Sequence, residues 1–327
     1  MTVLVTGAAG FIGSAVSLSL LERGDTVVGL DSINDYYDVN LKKARLARIE
    51  QYKNFSFVQA DICDFDSLRQ IFDRFAPIRQ VVHLAAEAGV RHSQQFPRQV
   101  VASNVTGHVN ILELCRYTDA FDHLVFASSS SIYRQDAELP YAVSDRVDRP
   151  VSVYAATKAA DELISHVYSN NFNMPQTALR YFTVYGPWGR PDMSYYSFTK
   201  AIYNSEPINV FNFGNMRRDF TYIDDAAKGT VQALDHPPQG DASNTPIQAF
   251  NIGADDSREL MNMIELLEEY IGIQAKKNFI QGPLGEMFVT EADVESTKQA
   301  IGYCPATSLE TGVALFVSWY RKYHDHP

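Results

Sequence analysis

The first thirteen residues constrain the fold of this chain more than any other stretch. Thr2–Thr6 is a short apolar run, and glycines stand at positions 7, 10 and 13 before a helical pattern that continues to Arg23. In such a strand, turn and helix, a pyrophosphate can approach the backbone and bind the unpaired N–H groups at the helix N-terminus. A purely structural turn is the alternative. We expect a dinucleotide to contact the residues of this turn: Gly7, Gly10, Phe11, Ile12 and Gly13.

The carboxylate after the second predicted strand indicates which dinucleotide would bind. That strand, Thr26–Leu30, is followed by Asp31, 18 residues beyond Gly13. A carboxylate there accepts hydrogen bonds from the adenosine ribose and repels a 2′-phosphate, which favours NAD over NADP. Asn34, in the polar loop that follows, is placed to reach the same ribose.

Strands and helices alternate through the first 180 residues. Predicted strands cover residues 2–6, 26–30, 55–60, 80–84, 123–127 and a segment from 173 onward; predicted helices cover 11–23, 41–52, 65–75 and 100–115. This alternation predicts an α/β fold with a doubly wound parallel sheet of the Rossmann type. Further expected NAD contacts are Asp61, Ile62, Leu84, Ala85, Ala86, Asn104 and Tyr181.

The character of the chain changes after residue 180. Predicted helices cover residues 198–203, 224–234, 258–270, 294–301 and 308–322, and extended segments cover 209–213 and 250–253. We therefore expect an NAD-binding domain over residues 1–180 and a smaller substrate-binding α/β domain over 181–327, with segments near 223–253 packing back on the first. The cleft between two such units is the default ligand site.

Tyr154 and Lys158 are four residues apart in a segment of good helix formers. This spacing places both side chains on one helix face, one turn apart. A nearby ammonium favours the ionised phenol, so Tyr154 would act as a base near neutral pH. Two polar residues on a solvated helix face are the alternative interpretation.

Charge and cysteine content exclude several classes of function. The net charge of −11 argues against general binding to nucleic acid or to an anionic membrane. No apolar run approaches the ~18 residues of a membrane span, and the N-terminus lacks the features of a signal peptide. The three cysteines show no metal-ligand spacing. We expect buried thiols, no metal site and a cytoplasmic protein.

Together these motifs resemble the extended short-chain dehydrogenase/reductase family. Within it the chain is similar to nucleotide-sugar epimerases, and among those most similar to UDP-glucuronate 4-epimerases. The resemblance covers essentially the whole chain. It is carried by the stretches DSINDYYDVNLKKARL, HLAAEAGVRHS, RYFTVYGPWGRPDMSYYSFTKAI and MRRDFTYIDDAAKG.

The resemblance implies an NAD-dependent inversion of C4 of a UDP-sugar, from UDP-glucuronate to UDP-galacturonate, through a transient 4-keto sugar while NAD stays bound. It implies that Tyr154 is the catalytic base and that Lys158 lowers the pKa of Tyr154 and bonds the nicotinamide ribose. It implies that Ser129, 25 residues before Tyr154, shares the hydrogen bond of the substrate hydroxyl.

The resemblance also implies a set of substrate contacts. Thr183 and Arg190 match positions expected to bind the sugar carboxylate, for which an arginine fork is well suited. Arg218 matches a pyrophosphate ligand better than Arg217 does, although a surface pair is the alternative for both. The full expected set is Ser129, Ser130, Thr183, Arg190, Arg218 and Glu286.

Other activities and some departures from the family pattern stay open. No acidic residue lies between Ser128 and Tyr133, which counts against a 4,6-dehydratase and modestly against a decarboxylase. Glu87 stands where relatives usually have Gln, Arg134 where they have Gly, and residues 282–286 differ from their usual turn.

The alternatives are a UDP-hexose or N-acetylhexosamine 4-epimerase, a UDP-glucuronate decarboxylase, and a protein that binds NAD without turnover. The resemblance further implies a homodimer that pairs through residues 100–115 and 153–170 as a four-helix bundle.

Overall fold

A computed structural model describes residues 1–240, 244–282 and 287–326. Its strands are β1 Thr2–Thr6, β2 Thr26–Asp31, β3 Phe55–Gln59, β4 Gln80–His83, β5 His123–Ser129, β6 Gln176–Tyr181, β7 Thr183–Tyr185, β8 Pro207–Phe211, β9 Arg217–Tyr222, β10 Ile247–Ile252, β11 Ser257–Glu259 and β12 Lys276–Ile280.

The α-helices of the same residues are α1 Phe11–Arg23, α2 Val39–Ile49, α3 Phe65–Arg74, α4 Val90–Gln95, α5 Pro97–Val101, α6 Gly107–Arg116, α7 Val153–Phe172, α8 Ser194–Tyr203, α9 Ile223–Leu234, α10 Leu260–Ile271, α11 Glu295–Ile301 and α12 Leu309–Tyr323. A π-helical turn, Ala102–Thr106, joins α5 to α6. None of the described helices is long and apolar enough to cross a membrane.

Seven strands form one parallel sheet in the order β10-β6-β5-β4-β1-β2-β3. The strand order reverses between β1 and β4, and in open α/β sheets this switch point opens a crevice at the carboxyl ends of the strands. The predicted Rossmann-type α/β fold is confirmed.

Alternate side chains of β1 fill the two faces of the sheet. Val3 and Val5 belong to one buried cluster and Leu4 to a second, and all three are inaccessible to solvent. Successive residues of a strand point to opposite faces, so an apolar run such as TVLVT is expected when helices cover both sides.

The second half of the chain forms two small sheets and also completes the large one. β11, β9 and β7 make a three-stranded sheet, and β12 pairs with β8. β10 returns to the large sheet, where it pairs with β6 over six residues. The extended segment predicted at 209–213 is shifted, because β8 ends at Phe211 and residues 212–214 form a 3-10 turn.

The prediction of three buried thiols is wrong for two of them. Cys115 is buried in the core under the large sheet, whereas Cys63 and Cys304 are exposed. Both exposed cysteines lie in segments between the strands and α-helices of the described residues.

Candidate active site

A cleft of about 1490 Å³ opens at the carboxyl ends of the central strands. This exceeds the ~300–1,000 Å³ that holds one small ligand, so a dinucleotide and a second ligand fit together. The sequence-predicted residues that line it are Gly7, Gly10, Phe11, Ile12, Gly13, Asp31, Asn34, Asp61, Ile62, Leu84, Ala85, Ala86, Ser129, Ser130, Tyr154, Lys158, Tyr181, Thr183, Arg190 and Arg218.

The glycine turn forms a cradle that only glycine permits. Gly7 has φ +74°, and a Cβ on it would lie 2.8 Å from the backbone nitrogen of Ala85. A Cβ on Gly13 would overlap the carbonyl oxygen of Gly7. The glycines therefore let the turn pack directly against neighbouring backbone while it lines the cleft at the start of α1, which fits a pyrophosphate at a helix N-terminus.

Backbone hydrogen bonds fix the Asp31 carboxylate at the end of β2. Oδ2 accepts from the Ala9 N–H at 3.1 Å and Oδ1 from the Ile33 N–H at 2.8 Å. Asn34 lies beside it, and its Oδ1 accepts from Lys42 Nζ at 2.5 Å. Asp31 keeps lone pairs for a ribose, and the amide of Asn34 keeps a lone pair on its oxygen and its N–H donors.

Two predicted NAD contacts sit differently from the rest. Asn104 does not line the cleft; it lies in the π-helical turn behind the wall, where its amide bonds both backbone groups of Glu87 and the hydroxyl of Thr157. Asn104 therefore positions the loop after β4 through its bonds to the backbone of Glu87. The Tyr181 hydroxyl bonds Thr230 at 2.7 Å, which leaves the ring rather than the hydroxyl for the cleft.

α7 carries Tyr154 and Lys158 in its first two turns. Ser152 caps the helix by accepting the Ala155 N–H at 3.1 Å. Tyr154 is half-buried and lines the cleft, and Lys158 is 3% exposed. The ammonium of Lys158 donates to Asp161 Oδ2 at 3.0 Å, a contact that was not predicted.

The serine run after β5 divides its hydroxyls between two tasks. Ser128 also lines the cleft, but its hydroxyl is engaged as a donor to Glu162. Ser129 Oγ accepts from the Ser131 N–H at 3.2 Å and from the Ser131 hydroxyl at 2.9 Å. Because Ser129 accepts twice, its own O–H remains as a donor toward the cleft.

Arg190 pairs with a carboxylate two residues further along the chain. Nε lies 3.0 Å from Asp192 Oδ1, and Nη2 lies 2.5 Å from Oδ2. Although burial opposes it, the charge of Arg190 lowers the pKa of Asp192 below its usual value. Tyr36 donates to Ala88 O at 3.0 Å beside this pair.

Arg218 and Arg217 lie at the start of β9. Arg218 lines the cleft and donates to the carbonyls of Arg217 and Phe288 at 2.9 and 3.1 Å. The side chain of Arg217 reaches Ser257 O instead. Glu286, the expected ribose contact, lies outside the described residues.

The structure shows what Glu87 and Arg134 do, two residues that depart from the family pattern. Glu87 is buried and bonds His92 Nε2 at 2.8 Å and Gln99 Nε2 at 2.6 Å, so both of its carboxylate oxygens are held by neighbours that line the cleft with it. Arg134 forms a fork with Asp136 in an exposed loop and does not line the cleft.

A buried arginine, which the sequence did not single out, connects the two sides of the cleft. Arg45 of α2 is inaccessible to solvent. It donates to Ala9 O in the glycine turn and to the carbonyls of Trp188 and Gly189, next to Arg190. Its position in an amphipathic helix gave no signal of this role. Across the described residues, no group of three His, Cys, Asp or Glu side chains could hold a metal ion.

Known proteins resemble this chain over nearly its whole length. The NAD dependent epimerase/dehydratase family matches residues 3–253. UDP-glucuronate 4-epimerase 4 of Arabidopsis thaliana is 43% identical over 334 residues, which cover 99% of this chain and 76% of the plant protein.

Two solved structures share the fold over 99% of this chain and all of their own. The UDP-glucuronic acid 4-epimerase of Bacillus cereus, in complex with UDP-glucuronic acid and NAD, has a TM-score of 0.90 at 34% identity. The UDP-glucose 4-epimerase of Thermotoga maritima, with UDP-glucose, has a TM-score of 0.88 at 28% identity.

Proposed function

The chain belongs to the NAD-dependent epimerase/dehydratase family, and we propose that it inverts C4 of UDP-glucuronate to give UDP-galacturonate. One observation carries the proposal. Tyr154, Lys158 and Ser129 line the same cleft as Arg190, so acid–base groups and a carboxylate ligand face one substrate. The similarity to the plant and Bacillus enzymes supports the choice of sugar.

The three polar groups have distinct roles in this proposal. The Tyr154 phenolate accepts the proton of the 4-hydroxyl and later returns it. Lys158 favours the phenolate by its charge. Ser129 donates its remaining O–H to the same sugar oxygen, and Ser131 holds Ser129 in that orientation.

NAD fits the bare glycine turn and Asp31, and when bound it supplies the hydride chemistry at C4. Gly7, Gly10 and Gly13 would hold the pyrophosphate, with Phe11 and Ile12 beside it. Asp31 and Asn34 would hold the adenosine ribose. The remaining proposed contacts are Asp61, Ile62, Leu84, Ala85, Ala86, Tyr154, Lys158 and Tyr181.

The acid group of the sugar is the feature that sets this substrate apart. A 4-keto uronate is a β-keto acid that can lose CO₂, so the site must hold the carboxylate while the sugar turns over. We assign this task to Arg190 and Thr183, with Ser130 beside them. Arg218 would bind the pyrophosphate of UDP.

The Arg190–Asp192 pair also favours a second candidate. Because Asp192 already occupies one edge of the guanidinium, a neutral UDP-hexose would leave no charge unpaired. A UDP-hexose 4-epimerase is therefore the alternative, in line with the similarity to the Thermotoga enzyme.

The assembly and location of the enzyme are also proposed. Leu163 and Val167, one turn apart on α7, are 70% and 52% exposed, and Val101 of α5 is 44% exposed. This apolar strip supports a homodimer through α5–α6 and α7. Three free thiols support a cytoplasmic location. The proposed division is an NAD-binding domain over residues 1–180, on which segments near 223–253 pack back, and a substrate-binding domain over residues 181–327; the pairing of β10 with β6 supports it.

The test is an NMR spectrum of UDP-glucuronate incubated with the purified protein and no added NAD. We expect a mixture with UDP-galacturonate. Turnover of UDP-glucose alone would establish the neutral-sugar alternative, and loss of C6 as CO₂ would establish a decarboxylase. No conversion of any UDP-sugar, with or without NAD, would refute the proposal.

A further inference from the structure

The ammonium of Lys158 stands between a phenol and a carboxylate on one helix. Tyr154 lies one turn before Lys158 on α7, and Asp161 lies one turn after it. The described hydrogen bond of the ammonium runs to Asp161 Oδ2, at 3.0 Å. Asp161 lies beyond the cleft wall, so no role in binding either ligand accounts for it.

The ion pair is almost completely withdrawn from water. The side chains of Lys158 and Asp161 are 4% and 0% exposed. Asp161 Oδ1 has no hydrogen-bond donor among the described residues. A buried carboxylate with one unpaired oxygen weakens a fold rather than strengthening it. Its contribution therefore lies in its effect on Lys158.

Two buried histidines face the pair from neighbouring elements. His83 lies on β4 and His108 on α6, and their ring centroids are 5.4 Å apart. Burial, aided by the charge of Lys158, lowers the pKa of His83 to about 3. Burial also lowers the pKa of His108 well below its usual value. Both rings are therefore neutral near pH 7 and add no positive charge beside the ammonium.

The remaining nearby carboxylate is already satisfied. Glu162 of α7 bonds Arg180 through both of its oxygens, at 3.0 and 2.8 Å. Burial raises the pKa of Asp161 to about 6, so its carboxyl is ionised at neutral pH and above. Asp161 is thus the negative charge that acts directly on Lys158.

We propose that Asp161 is a positioning residue, an inference that rests on the proposed roles of Tyr154 and Lys158. It fixes the ammonium and opposes part of its charge, so Tyr154 ionises at a higher pH than Lys158 alone would allow. Seven residues separate Tyr154 from Asp161, or about 10 Å along the helix. Across a partly buried path, one charge at this distance shifts an ionisation by about one pH unit.

The test follows the phenol directly and needs no substrate. The NAD-bound protein is labelled with ¹³Cζ-tyrosine, and among its 18 tyrosines the Tyr154 signal is identified by its loss in Tyr154→Phe. In Asp161→Asn we expect the midpoint of its titration to fall by about one pH unit, a tenfold change in the ionisation constant. Asp161→Glu, which keeps the charge, should stay close to the wild type.

Ser165→Ala is the matched control, since it removes a buried hydroxyl from the next turn of α7 without changing any charge. Its midpoint should not move. If Asp161→Asn does not fold, Asp161→Ser tests the same loss of charge. An unchanged or higher midpoint in a folded variant that lacks the charge would overturn the inference, even if the wild type epimerises. Absence of turnover in the wild type would instead overturn the proposed function.

Discussion

Arg190 and Asp192 form a bidentate ion pair, with Nε 3.0 Å from Oδ1 and Nη2 2.5 Å from Oδ2. A planar guanidinium matches a planar carboxylate in this way. The side chains of Arg190 and Asp192 are 20% and 36% exposed, so the pair lies at the wall of the cleft and is partly open to water. Asp192 thus fixes the orientation of the guanidinium at the wall of the cleft.

We expect Arg190→Lys to raise KM for UDP-glucuronate by about 10- to 100-fold, because lysine offers a point charge without the fork. Steady-state kinetics with UDP-glucuronate measure this. Arg134→Lys is the control, since Arg134 makes the same fork with Asp136 in an exposed loop. Equal KM values for Arg190→Lys and the wild type would remove Arg190 from the carboxylate site.

Alanine substitutions at the three serines after β5 should lower kcat to different extents. Ser129→Ala should lower kcat by about 100-fold, because it removes the donor to the reacting oxygen. Ser131→Ala should lower kcat less, because it only releases the orientation of Ser129. Ser128→Ala should mainly lower the melting temperature, because it breaks a hydrogen bond to the Glu162 carboxylate worth about 1.5 to 3 kcal/mol. A larger kcat effect at Ser128 than at Ser129 would contradict this assignment.

The burial of His123 should make the folded protein less stable to unfolding in acid. Its Nδ1 donates to Leu234 O at 3.0 Å, and burial lowers its pKa to about 4. The unfolded state takes up a proton below about pH 6.5, whereas the folded state does so only near pH 4. The free energy of unfolding is therefore unaffected by the protonation of His123 above pH 6.5, and it falls as the pH drops toward 4.

His123→Gln should remove this dependence. Between pH 6.5 and 4, the wild type should lose about 1.4 kcal/mol per pH unit relative to the variant. The free energies of unfolding of both proteins are measured in denaturant at pH 7 and pH 5. Buried acids such as Asp219 are present in both proteins, so their effects cancel when the two are compared. Exposed His236→Gln is the control, and it should follow the wild type. Parallel curves for His123→Gln and the wild type would show that His123 is protonated in the fold.

The proposed dimer can be tested on the exposed face of α7. Leu163→Glu should convert a dimer into a monomer in light scattering, because it places a charge at the centre of the apolar strip. Leu315→Glu is the matched control, since Leu315 is 46% exposed on α12, outside the proposed interface. A monomeric wild type would remove the dimer proposal altogether.

The regular first half of the fold was predictable because its signals are local. The first strand was predicted with its observed bounds, Thr2–Thr6, since glycine follows it directly. α8 was predicted to begin at Phe198 but begins at Ser194. Its N-cap is Met193, which has no side-chain acceptor, so no capping residue marked the start. β9 was missed because its first residues are charged and extended only through pairing with β7 and β11.

The site was predictable where a motif carries it and not where distant burial decides it. Of the predicted residues that the structure describes, only Asn104 fails to line the cleft. Asp161 stood three residues from Lys158 in the sequence, but the spacing does not reveal that both are buried. The pairing of Glu87 with His92 depends on how the loop after β4 turns, which no local pattern encodes.

The return of β10 to the large sheet bears on how the protein is made. β6 gains its outer neighbour only from Ile247–Ile252, after more than sixty further residues have left the ribosome. Until then its edge presents unpaired N–H and C=O groups, the kind of surface on which nascent chains aggregate. Parallel pairing over such a sequence separation is slow to form. Synthesis of the second half is thus a condition for closing the first, and truncation anywhere between Tyr181 and Ile252 should leave an insoluble chain.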